Sequence, residues 1–362
     1  MGWSLFKPRV QRAPSVRLQD GTVFNVLAGE TVLDAALRAG LPAPHNCRVG
    51  ACTTCRCTLV GGTARSLVDR CYVLTQEDIR SGTHLACQMR PTSDIEVHWR
   101  MGGPRLEAHT ATIVARRPLT ARVWRMSLLI ETRFAALPGQ HVEIMVGCDG
   151  YPPVVRPFSV VHASTGSTYT RLDIDVARRD NGAVSAWLTR DDAVGSALQI
   201  AGPFGTCCAE DRGGPLLTIG AGSGIGAAAG VLSRSHATRP RRQTMLLAYG
   251  TRTADLYGLE ELALGAQQAG ARHRSLAWAR HGPFDTPMVS QGRAPDGLLE
   301  ALIEHGTVRD GQVLLYGPGG FIDTCMGALT AAGIPPHRIR CDRYQPPRAG
   351  ASPVPAGHAI GG

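Results

Sequence analysis

The stretch Pro44–Gly62, PHNCRVGACTTCRCTLVGG, places four cysteines within eleven residues. A cysteine cluster this dense is either a disulfide framework or a metal centre. Residues 1–20 lack the apolar core of a signal peptide, and no apolar run in the sequence reaches the length of a membrane span. We therefore expect a cytoplasmic protein that does not enter a membrane. Its thiols would stay reduced there, which favours the metal centre.

The spacing of the cysteines indicates which metal centre this is. Cys47, Cys52 and Cys55 follow the pattern C-x4-C-x2-C, and Cys87 comes 32 residues after Cys55. A tight loop with one distant anchor supplies the four thiolates of a plant-type [2Fe–2S] cluster. A zinc site is the alternative, but it usually uses paired C-x2-C units or histidines. We predict that the cluster ligands are Cys47, Cys52, Cys55 and Cys87. Cys57 alternates with Cys55 along an emerging strand, and we predict a structural role for it.

Two motifs around these cysteines, CRVGACTTC and LACQ, resemble those of the plant-type ferredoxin family. The resemblance covers residues 15–100 and implies a β-grasp domain that carries a [2Fe–2S] cluster. The local pattern agrees with this interpretation. Apolar and polar residues alternate over residues 16–26, which predicts a pair of strands. Thr31 is a typical helix N-cap, and Gly40 is a typical helix end.

Residues 101–107 have the composition of a linker, and the pattern changes after them. In residues 108–210 short apolar runs alternate with turn signals, which predicts a small antiparallel barrel with one helix at NGAVSAWLTRD. The strings LPGQHVEI, RPFSVV, GAVS and GPFG occur there in the order that resembles the flavin barrel of ferredoxin–NADP reductases. The alternative is an ordinary barrel with a chance match. The resemblance implies FAD rather than FMN.

By that resemblance the aromatic ring of Phe158 packs on the flavin, and Ser159 meets the N5 edge as a catalytic residue. Arg156 neutralises the pyrophosphate of FAD, which suits the charge of a guanidinium. The opening of the barrel helix contributes N–H groups to the same pyrophosphate. The implied FAD contacts are Arg156, Pro157, Phe158, Ser159, Gly182, Val184 and Ser185.

Residues 214–345 contain repeated units of an apolar strand, a glycine turn and a helix, which predicts a parallel α/β sheet. The first turn, GAGSGIGAA, is a weak nucleotide motif alone. With YGTRTADLYGLEEL and YGPGGF it resembles the pyridine-nucleotide domain of ferredoxin reductases. The implied dinucleotide contacts are Gly220, Gly222, Ser223, Gly224, Ile225, Arg252, Gly317 and Pro318.

The end of this segment carries further candidate site residues. Tyr316 stands where the family usually has a cysteine beside the site of hydride transfer, so the resemblance makes it a second catalytic position. Asp342 and Tyr344 match the family's closing acidic and aromatic positions, and Tyr344 can shield the flavin. Asp255 and the lack of a basic pair near Arg252 favour NADH over NADPH. Residues 346–362, rich in Pro, Gly and Ala, predict a disordered tail.

The predicted fold class is therefore a multidomain α+β and α/β protein. It has a β-grasp 2Fe–2S ferredoxin domain, an antiparallel FAD-binding β-barrel and a parallel α/β nucleotide-binding domain. This order resembles the reductase components of bacterial aromatic-ring oxygenases, closest to the naphthalene dioxygenase and salicylate hydroxylase branch. The resemblance implies aromatic hydrocarbon catabolism, with hydride passing from NADH to FAD. Single electrons then leave through the cluster to a ferredoxin or a terminal Rieske oxygenase.

Two alternatives remain at this point. A diiron monooxygenase reductase shares the same layout, and a non-catalytic redox sensor would keep the cofactors without hydride transfer, with Tyr316 as its only support. The net charge of +9 and the pI of 9.2 come from dispersed arginines, so we expect an acidic protein partner and no nucleic acid. We expect a monomer.

Overall fold

The computed structural model describes residues 12–45, 48, 50, 53–68, 70, 73–74, 76–102, 108–148, 151–179, 182–210, 213–306 and 310–344. The chain divides into two compact units, Met1–Arg105 and Leu106–Gly362. The finer domain bounds remain predictions, and the predicted tail 346–362 lies outside the described residues. Within the described residues, no helix is both long and apolar enough to span a bilayer.

The first unit is a mixed sheet with a helix packed on it. Its elements are β1 (Ser15–Leu18), β2 (Val23–Asn25), α1 (Val32–Arg38), β3 (Arg56–Gly61), β4 (Ala64–Ser66), α2 (Gln76–Arg80), β5 (Thr83–Leu85), a 3₁₀ turn (Ala86–Gln88), β6 (Met89–Pro91) and β7 (Ile95–His98). The sheet order is β2–β1–β7–β3–β5, with β1 and β7 parallel and β4 paired separately with β6. This is the arrangement predicted for the ferredoxin domain.

Helix α1 begins where the sequence predicted. The Thr31 hydroxyl accepts the Asp34 N–H at 3.2 Å, and the Asp34 carboxylate accepts the Thr31 N–H at 3.1 Å. These reciprocal bonds form a capping box, which satisfies N–H groups that the first helical turn leaves free. After the helix, Gly40 has a φ of 74°, which favours glycine.

The second unit begins with a closed antiparallel barrel. Its elements are β8 (Ala108–Pro118), β9 (Val123–Ile130), β10 (His141–Cys148), β11 (Tyr151–Thr165), β12 (Thr170–Ala177), α3 (Ala183–Leu188) and β13 (Ala197–Phe204). The strand order around the barrel is β10–β11–β12–β9–β8–β13. Alternate residues of these strands fill an apolar interior, so the predicted barrel and its helix at residues 183–188 are confirmed.

A parallel sheet with helices follows the barrel. Its elements are β14 (Leu216–Ala221), α4 (Gly224–Thr238), β15 (Thr244–Arg252), a 3₁₀ turn (Thr253–Asp255), α5 (Leu259–Gln268), β16 (His273–His281), β17 (Val289–Gln291), α6 (Leu298–His305), β18 (Gln312–Pro318), α7 (Gly319–Ala331), a 3₁₀ turn (Pro336–Arg338) and β19 (Ile339–Tyr344). The strand order is β17–β16–β15–β14–β18–β19, and all neighbouring pairs are parallel. The predicted parallel sheet is confirmed.

Helix α4 contacts both the sheet and the barrel of the second unit, because its glycines allow a close approach. A Cβ on Gly230 would lie 2.0 Å from the Val161 carbonyl oxygen of β11, and one on Gly226 would lie 1.7 Å from a carboxylate oxygen of Asp175 on β12. The helix that follows the first glycine turn is therefore fixed directly on the barrel wall.

Candidate redox sites

The described part of the predicted cluster site contains two of its four cysteines. Cys55 and Cys87 are each 2% exposed. The Ala86 N–H donates to the Cys55 carbonyl at 2.9 Å, so the cysteine loop and the distant anchor are held side by side. Cys47 and Cys52 lie outside the described residues. Two buried cysteines brought together from distant parts of the chain fit a thiolate-ligated cluster.

Cys57 lies in the core of the first unit, and its thiol is 3.9 Å from the sulfur of Met89. Burial, and to a lesser extent the nearby Cys87, raise the pKa of Cys57 to about 12. A neutral thiol among apolar groups packs as a small hydrophobe. This placement supports the predicted structural role.

In the second unit, β10 and β11 carry the flavin motif. Phe158 is half-buried and packs on the barrel core, beside Pro157. The Arg156 guanidinium donates to the Val155 carbonyl at 2.7 Å, and its pKa is lowered by burial and by the charge of Arg179. Two cations held this close without a carboxylate partner among the described residues suit the two negative charges of a pyrophosphate.

The opening of helix α3 lies next to these arginines. Gly182 is the N-cap residue, and a Cβ there would lie 2.5 Å from the Ser185 hydroxyl oxygen. That hydroxyl donates to the Gly182 carbonyl at 3.0 Å and accepts the Arg179 N–H at 3.2 Å, while Val184 is buried in the barrel core. The predicted FAD-binding residues are thus brought to one end of the barrel wall.

Ser159 joins the barrel to the last strand of the sheet. Its hydroxyl donates to a carboxylate oxygen of Asp342 at 2.5 Å and lies 2.8 Å from the Tyr344 hydroxyl. Burial raises the pKa of Asp342, against the opposing effects of the nearby His141 and of the Ser159 hydrogen bond. Burial also raises the pKa of Tyr344 well above its usual range. The arrangement places a carboxyl, a phenol and a hydroxyl together in a largely dry environment.

The first glycine turn has the geometry that a dinucleotide needs. A Cβ on Gly220 would lie 2.8 Å from the Gly224 carbonyl oxygen, and one on Gly224 would lie 2.3 Å from the Tyr316 carbonyl oxygen. Gly222 has a φ of 59°, Ser223 stands at the N-cap position of α4 without a side-chain capping bond, and Ile225 is fully buried. The glycines therefore let the strand, the turn and the start of α4 approach one another closely, as a dinucleotide-binding turn requires.

The second glycine turn contains Tyr316, whose side chain is fully buried. Its hydroxyl donates to the Cys207 carbonyl, and burial raises its pKa well above the usual range. The same hydroxyl would lie 2.5 Å from a Cβ on Gly139, so the ring extends under the barrel edge. Gly317, with a φ of 154°, and Pro318, the cap residue of α7, follow directly. Tyr316 is packed and hydrogen-bonded rather than displayed on a surface.

Arg252 ends strand β15 and is tied to Asp255. The Asp255 carboxylate accepts the Arg252 backbone N–H at 3.0 Å and its guanidinium at 3.1 Å. The guanidinium is thus already paired with a carboxylate, which would also repel an added phosphate. This geometry supports the predicted preference for NADH.

Two features of the site were missed from the sequence. His141 directly opposes Ser159 in the β10–β11 ladder, is 3% exposed, and its Nε2 has no hydrogen-bond partner among the described residues. A buried polar atom without a partner costs free energy, so this nitrogen fits a site that a polar cofactor completes. The position after PGQ was the only signal in the sequence that could have identified it.

The second missed feature is a buried network at the start of α4. Arg125 donates to both Asp175 carboxylate oxygens, at 2.8 and 3.0 Å. The Tyr257 phenol donates to the same carboxylate at 3.0 Å and accepts the Gly226 N–H at 3.1 Å. A barrel carboxylate therefore reaches the turn that is predicted to bind the dinucleotide. Its partners are 50 and 82 residues away along the chain, so no local pattern could reveal them.

Comparison with known proteins gives relatives along almost the whole chain. Residues 16–92 match the family described as the 2Fe-2S iron-sulfur cluster binding domain. The chain is 30% identical over 339 residues to the ferredoxin–NAD(+) reductase component of the alkene monooxygenase system of Xanthobacter autotrophicus, with 91% of this chain and 100% of the relative covered. It is 26% identical over 348 residues to the xylene/toluene monooxygenase electron transfer component of Pseudomonas putida, covering 94% and 95%.

A third relative is the ferredoxin–NAD(P)(+) reductase component of the naphthalene 1,2-dioxygenase system of Pseudomonas putida, at 23% identity over 335 residues, covering 88% and 94%. Among solved structures, a cytochrome P450 reductase of Amycolatopsis superposes with a TM-score of 0.63 at 27% identity, covering 92% of this chain and 99% of that one. These likenesses extend over the ferredoxin domain, the barrel and the parallel sheet alike.

Proposed function

Since this chain belongs to the family of ferredoxin–NAD(+) reductase components of oxygenase systems, we propose that it delivers electrons from NADH to the oxygenase side of such a system. The enzyme is an oxidoreductase with FAD, a [2Fe–2S] cluster and NAD(H) as its cofactors. FAD supplies the ability to take a hydride as an electron pair and to release single electrons, which the cluster then carries outward.

The observation that carries this proposal is the meeting of Ser159, Asp342 and Tyr344, with the unpartnered His141 nitrogen on the neighbouring strand. Ser159 holds the carboxyl and the phenol of the last strand against the barrel strand that bears the flavin motif. Ser159 and Asp342 are buried and Tyr344 is partly buried, so little water reaches these three groups. Positioning and water exclusion are the contributions a protein makes to hydride transfer between cofactors.

We propose the remaining residues in binding roles. Arg156 and the opening of α3, from Gly182 to Ser185, neutralise the FAD pyrophosphate. The turn from Gly220 to Ile225 binds the pyrophosphate of NADH, and Gly317 and Pro318 border its nicotinamide. We propose Tyr316 as a residue that sets the depth of that pocket, since its hydroxyl is already bonded to Cys207.

Cys47, Cys52, Cys55 and Cys87 are the proposed ligands of the cluster. Iron, sulfide and flavin content of the purified protein, with absorbance spectra before and after anaerobic addition of NADH, test the assignment. We expect about one FAD and two irons per chain, and bleaching of both chromophores by NADH. A colourless protein, or a flavin that NADH does not reduce, contradicts the proposal, and the second result favours a redox sensor.

The proposed electron acceptor is a second protein of the oxygenase system. We propose a ferredoxin or the terminal oxygenase of an aromatic-ring-hydroxylating system, supported by the naphthalene dioxygenase relative. A monooxygenase, of which the diiron class is the candidate, is the second possibility, supported by the alkene and xylene/toluene monooxygenase relatives. Reduction rates measured with purified ferredoxin, Rieske oxygenase and diiron hydroxylase preparations separate these acceptors.

We also propose that the protein acts as a monomer in the cytoplasm, where NADH is available and thiols stay reduced. The residues proposed to bind NADH, FAD and the cluster all belong to one chain, so the proposal requires no second copy. Light scattering of the holoprotein measures the oligomeric state, and a stable dimer would contradict this part of the proposal.

A further inference from the structure

We propose that Gln88 is a positioning residue for the iron–sulfur cluster. Its side-chain amide ties the sulfur of Cys87 to the cysteine loop, and so raises the cluster's reduction potential and slows its loss. This inference rests on the [2Fe–2S] cluster of the proposed function, and it concerns a residue whose side chain has no other assigned role.

The amide of Gln88 bridges the two parts of the chain that supply cysteines. Gln88 is 6% exposed and ends the 3₁₀ turn that contains Cys87. Its Nε2 lies 3.7 Å from the Cys87 sulfur and 3.1 Å from the Arg48 carbonyl oxygen in the cysteine loop. A primary amide carries two N–H groups, so it can donate to both acceptors at once.

The loop is shaped to receive this side chain. A Cβ on Gly50 would lie 2.8 Å from Cγ of Gln88, and Gly50 has a φ of 81°. Any other residue at position 50 would therefore be strained and would also displace the Gln88 stem. Glycine at position 50 is therefore favoured both by the backbone conformation of the turn and by the Gln88 stem that packs against it.

The acceptor on the loop is also held in place. Arg48 has a φ of 55°, and its guanidinium donates to Asp34 at 2.7 Å. Asp34 is the residue that forms the capping box of α1 with Thr31. The Arg48 carbonyl is therefore anchored to a helix start, so the bond from Gln88 fixes Cys87 relative to a rigid element.

An N–H that donates to a ligand sulfur stabilises the more negative, reduced form of a cluster more than the oxidised form. Hydrogen bonds to the sulfurs are one of the determinants of iron–sulfur potentials. The effect is larger in a buried site, where water does not screen the N–H dipole. Removal of this donor should therefore make the cluster harder to reduce.

The test is Gln88→Met, which keeps the length of the side chain and removes both donors. The cluster of the holoprotein is titrated with a chemical reductant, without NADH or acceptor, and followed by EPR. We expect a more negative midpoint potential, with the equilibrium constant for reduction lowered between about twofold and tenfold; tenfold corresponds to about 59 mV for one electron. Cluster loss to an iron chelator should also be faster.

A matched control is Gln19→Met in the same unit. The Gln19 amide also bridges backbone groups, donating to the Trp99 carbonyl at 2.9 Å and accepting the Trp99 N–H at 2.8 Å, far along the chain from the cysteines. We expect it to leave the cluster potential unchanged. A second variant, Asp34→Asn, removes the ion pair with Arg48 while keeping the Gln88 amide, so cluster loss should quicken with little change in potential.

The proposal is overturned if Gln88→Met keeps the wild-type potential, or if Gln19→Met shifts it equally. Should Gln88→Met hold no cluster, Gln88→Asn is measured instead. Its amide is one methylene shorter, and a wild-type potential there would equally overturn the proposal. A wild-type protein without any cluster would instead contradict the proposed function, so the two failures are distinguishable.

Discussion

Among the described residues, Ser159 is the one through which the barrel strand β11 and the last sheet strand β19 are hydrogen-bonded at the proposed site. Without its hydroxyl, a buried carboxyl loses a donor and the Tyr344 phenol loses a fixed neighbour. The consequence should appear in catalysis, because the polar groups around a nicotinamide must be held before it binds.

We predict that Ser159→Ala slows flavin reduction by NADH about tenfold to hundredfold, about 1.4 to 2.8 kcal/mol in activation free energy. FAD content should be unchanged. Stopped-flow measurement of flavin absorbance under anaerobic conditions gives the rate. Ser164→Ala, at an exposed position of the same strand, is the control and should reduce at the wild-type rate. Equal rates for wild type and Ser159→Ala would exclude a catalytic part for this hydroxyl.

Asp255 forms an ion pair with Arg252 at the end of β15. Asp255→Asn removes the charge that pairs with Arg252 and that would repel a 2′-phosphate. We expect kcat/KM for NADPH to rise about tenfold relative to that for NADH, which is about 1.4 kcal/mol. Steady-state rates with both nucleotides measure it. Glu260→Gln removes an exposed carboxylate in the next helix and should leave the ratio as it is; a ratio unchanged in both variants would contradict the assignment.

At the scale of elements, the placement of α4 depends on Gly226. A Cβ there would meet the Asp175 carboxylate, which is held by two bonds from Arg125 and cannot move without breaking them. We predict that Gly226→Ala destabilises the protein by about 1–3 kcal/mol and raises KM for NADH, because the dinucleotide turn shifts with the helix. Urea unfolding and steady-state kinetics measure the two effects.

The matched substitution is Gly327→Ala in helix α7, where an added Cβ meets no atom within 4 Å. Alanine is the better helix former, so we expect no loss, or a gain of about 0.5–1 kcal/mol. If Gly226→Ala and Gly327→Ala change the free energy of unfolding by the same amount, the contact between α4 and the barrel is not what constrains position 226.

A second element-scale feature links α4 to two strands of the sheet. The buried His236 Nε2 lies 2.8 Å from the Thr244 hydroxyl of β15, which lies 3.0 Å from Nδ1 of His273 on β16. Burial lowers the pKa of His236 below its ordinary value of 6.5. His236 therefore binds a proton less readily in the folded protein than in the unfolded chain.

We predict that stability falls as pH drops below about 6.5, because the unfolded state then binds more protons than the folded state. His236→Asn should reduce this dependence, although it loses some stability at pH 8 with the hydrogen bond. The slope that remains is expected from His84, whose pKa burial lowers to about 4. Urea unfolding from pH 8 to pH 5.5 measures the slope. His281→Asn, at an exposed position of β16, should keep the wild-type slope; loss of the slope there as well would contradict the assignment to His236.

Elements set by local chemistry could be predicted from the sequence, and long-range contacts could not. Thr31 and Gly40 mark a helix because capping and left-handed backbone are local properties. The burial of Tyr316 and its bond to Cys207 depend on how the sheet meets the barrel edge, which no window of sequence contains. Ser159 and Tyr344 were identified by resemblance, but their direct contact across 185 residues was found only in the structure.

At the scale of the whole molecule, the excess of basic residues should act on the acceptor. The chain has 38 Lys and Arg against 29 Asp and Glu. Long-range attraction between opposite charges speeds association and weakens with salt. We predict that raising the ionic strength from about 0.01 to 0.15 M, which shortens the Debye length from about 30 to 8 Å, lowers the rate of reduction of an acidic acceptor at least about tenfold.

Oxidation by dioxygen, an uncharged acceptor, provides the comparison for that measurement. Its rate with the NADH-reduced protein should change little over the same salt range, since no charge steers it. A salt-independent rate with the protein acceptor, or a rate that rises with salt, would show that the basic charge has no part in recognising the partner.

The bond from Ser159 to the final strand also bears on how the protein is made. Strand β19 comes after every other described element in the order of synthesis, and it brings Asp342 and Tyr344 to a barrel strand made some 180 residues earlier. The contacts of Ser159 with Asp342 and Tyr344 can form only after this last strand has been made. We therefore expect a chain that ends before β19 to lack the carboxyl and the phenol of the proposed site.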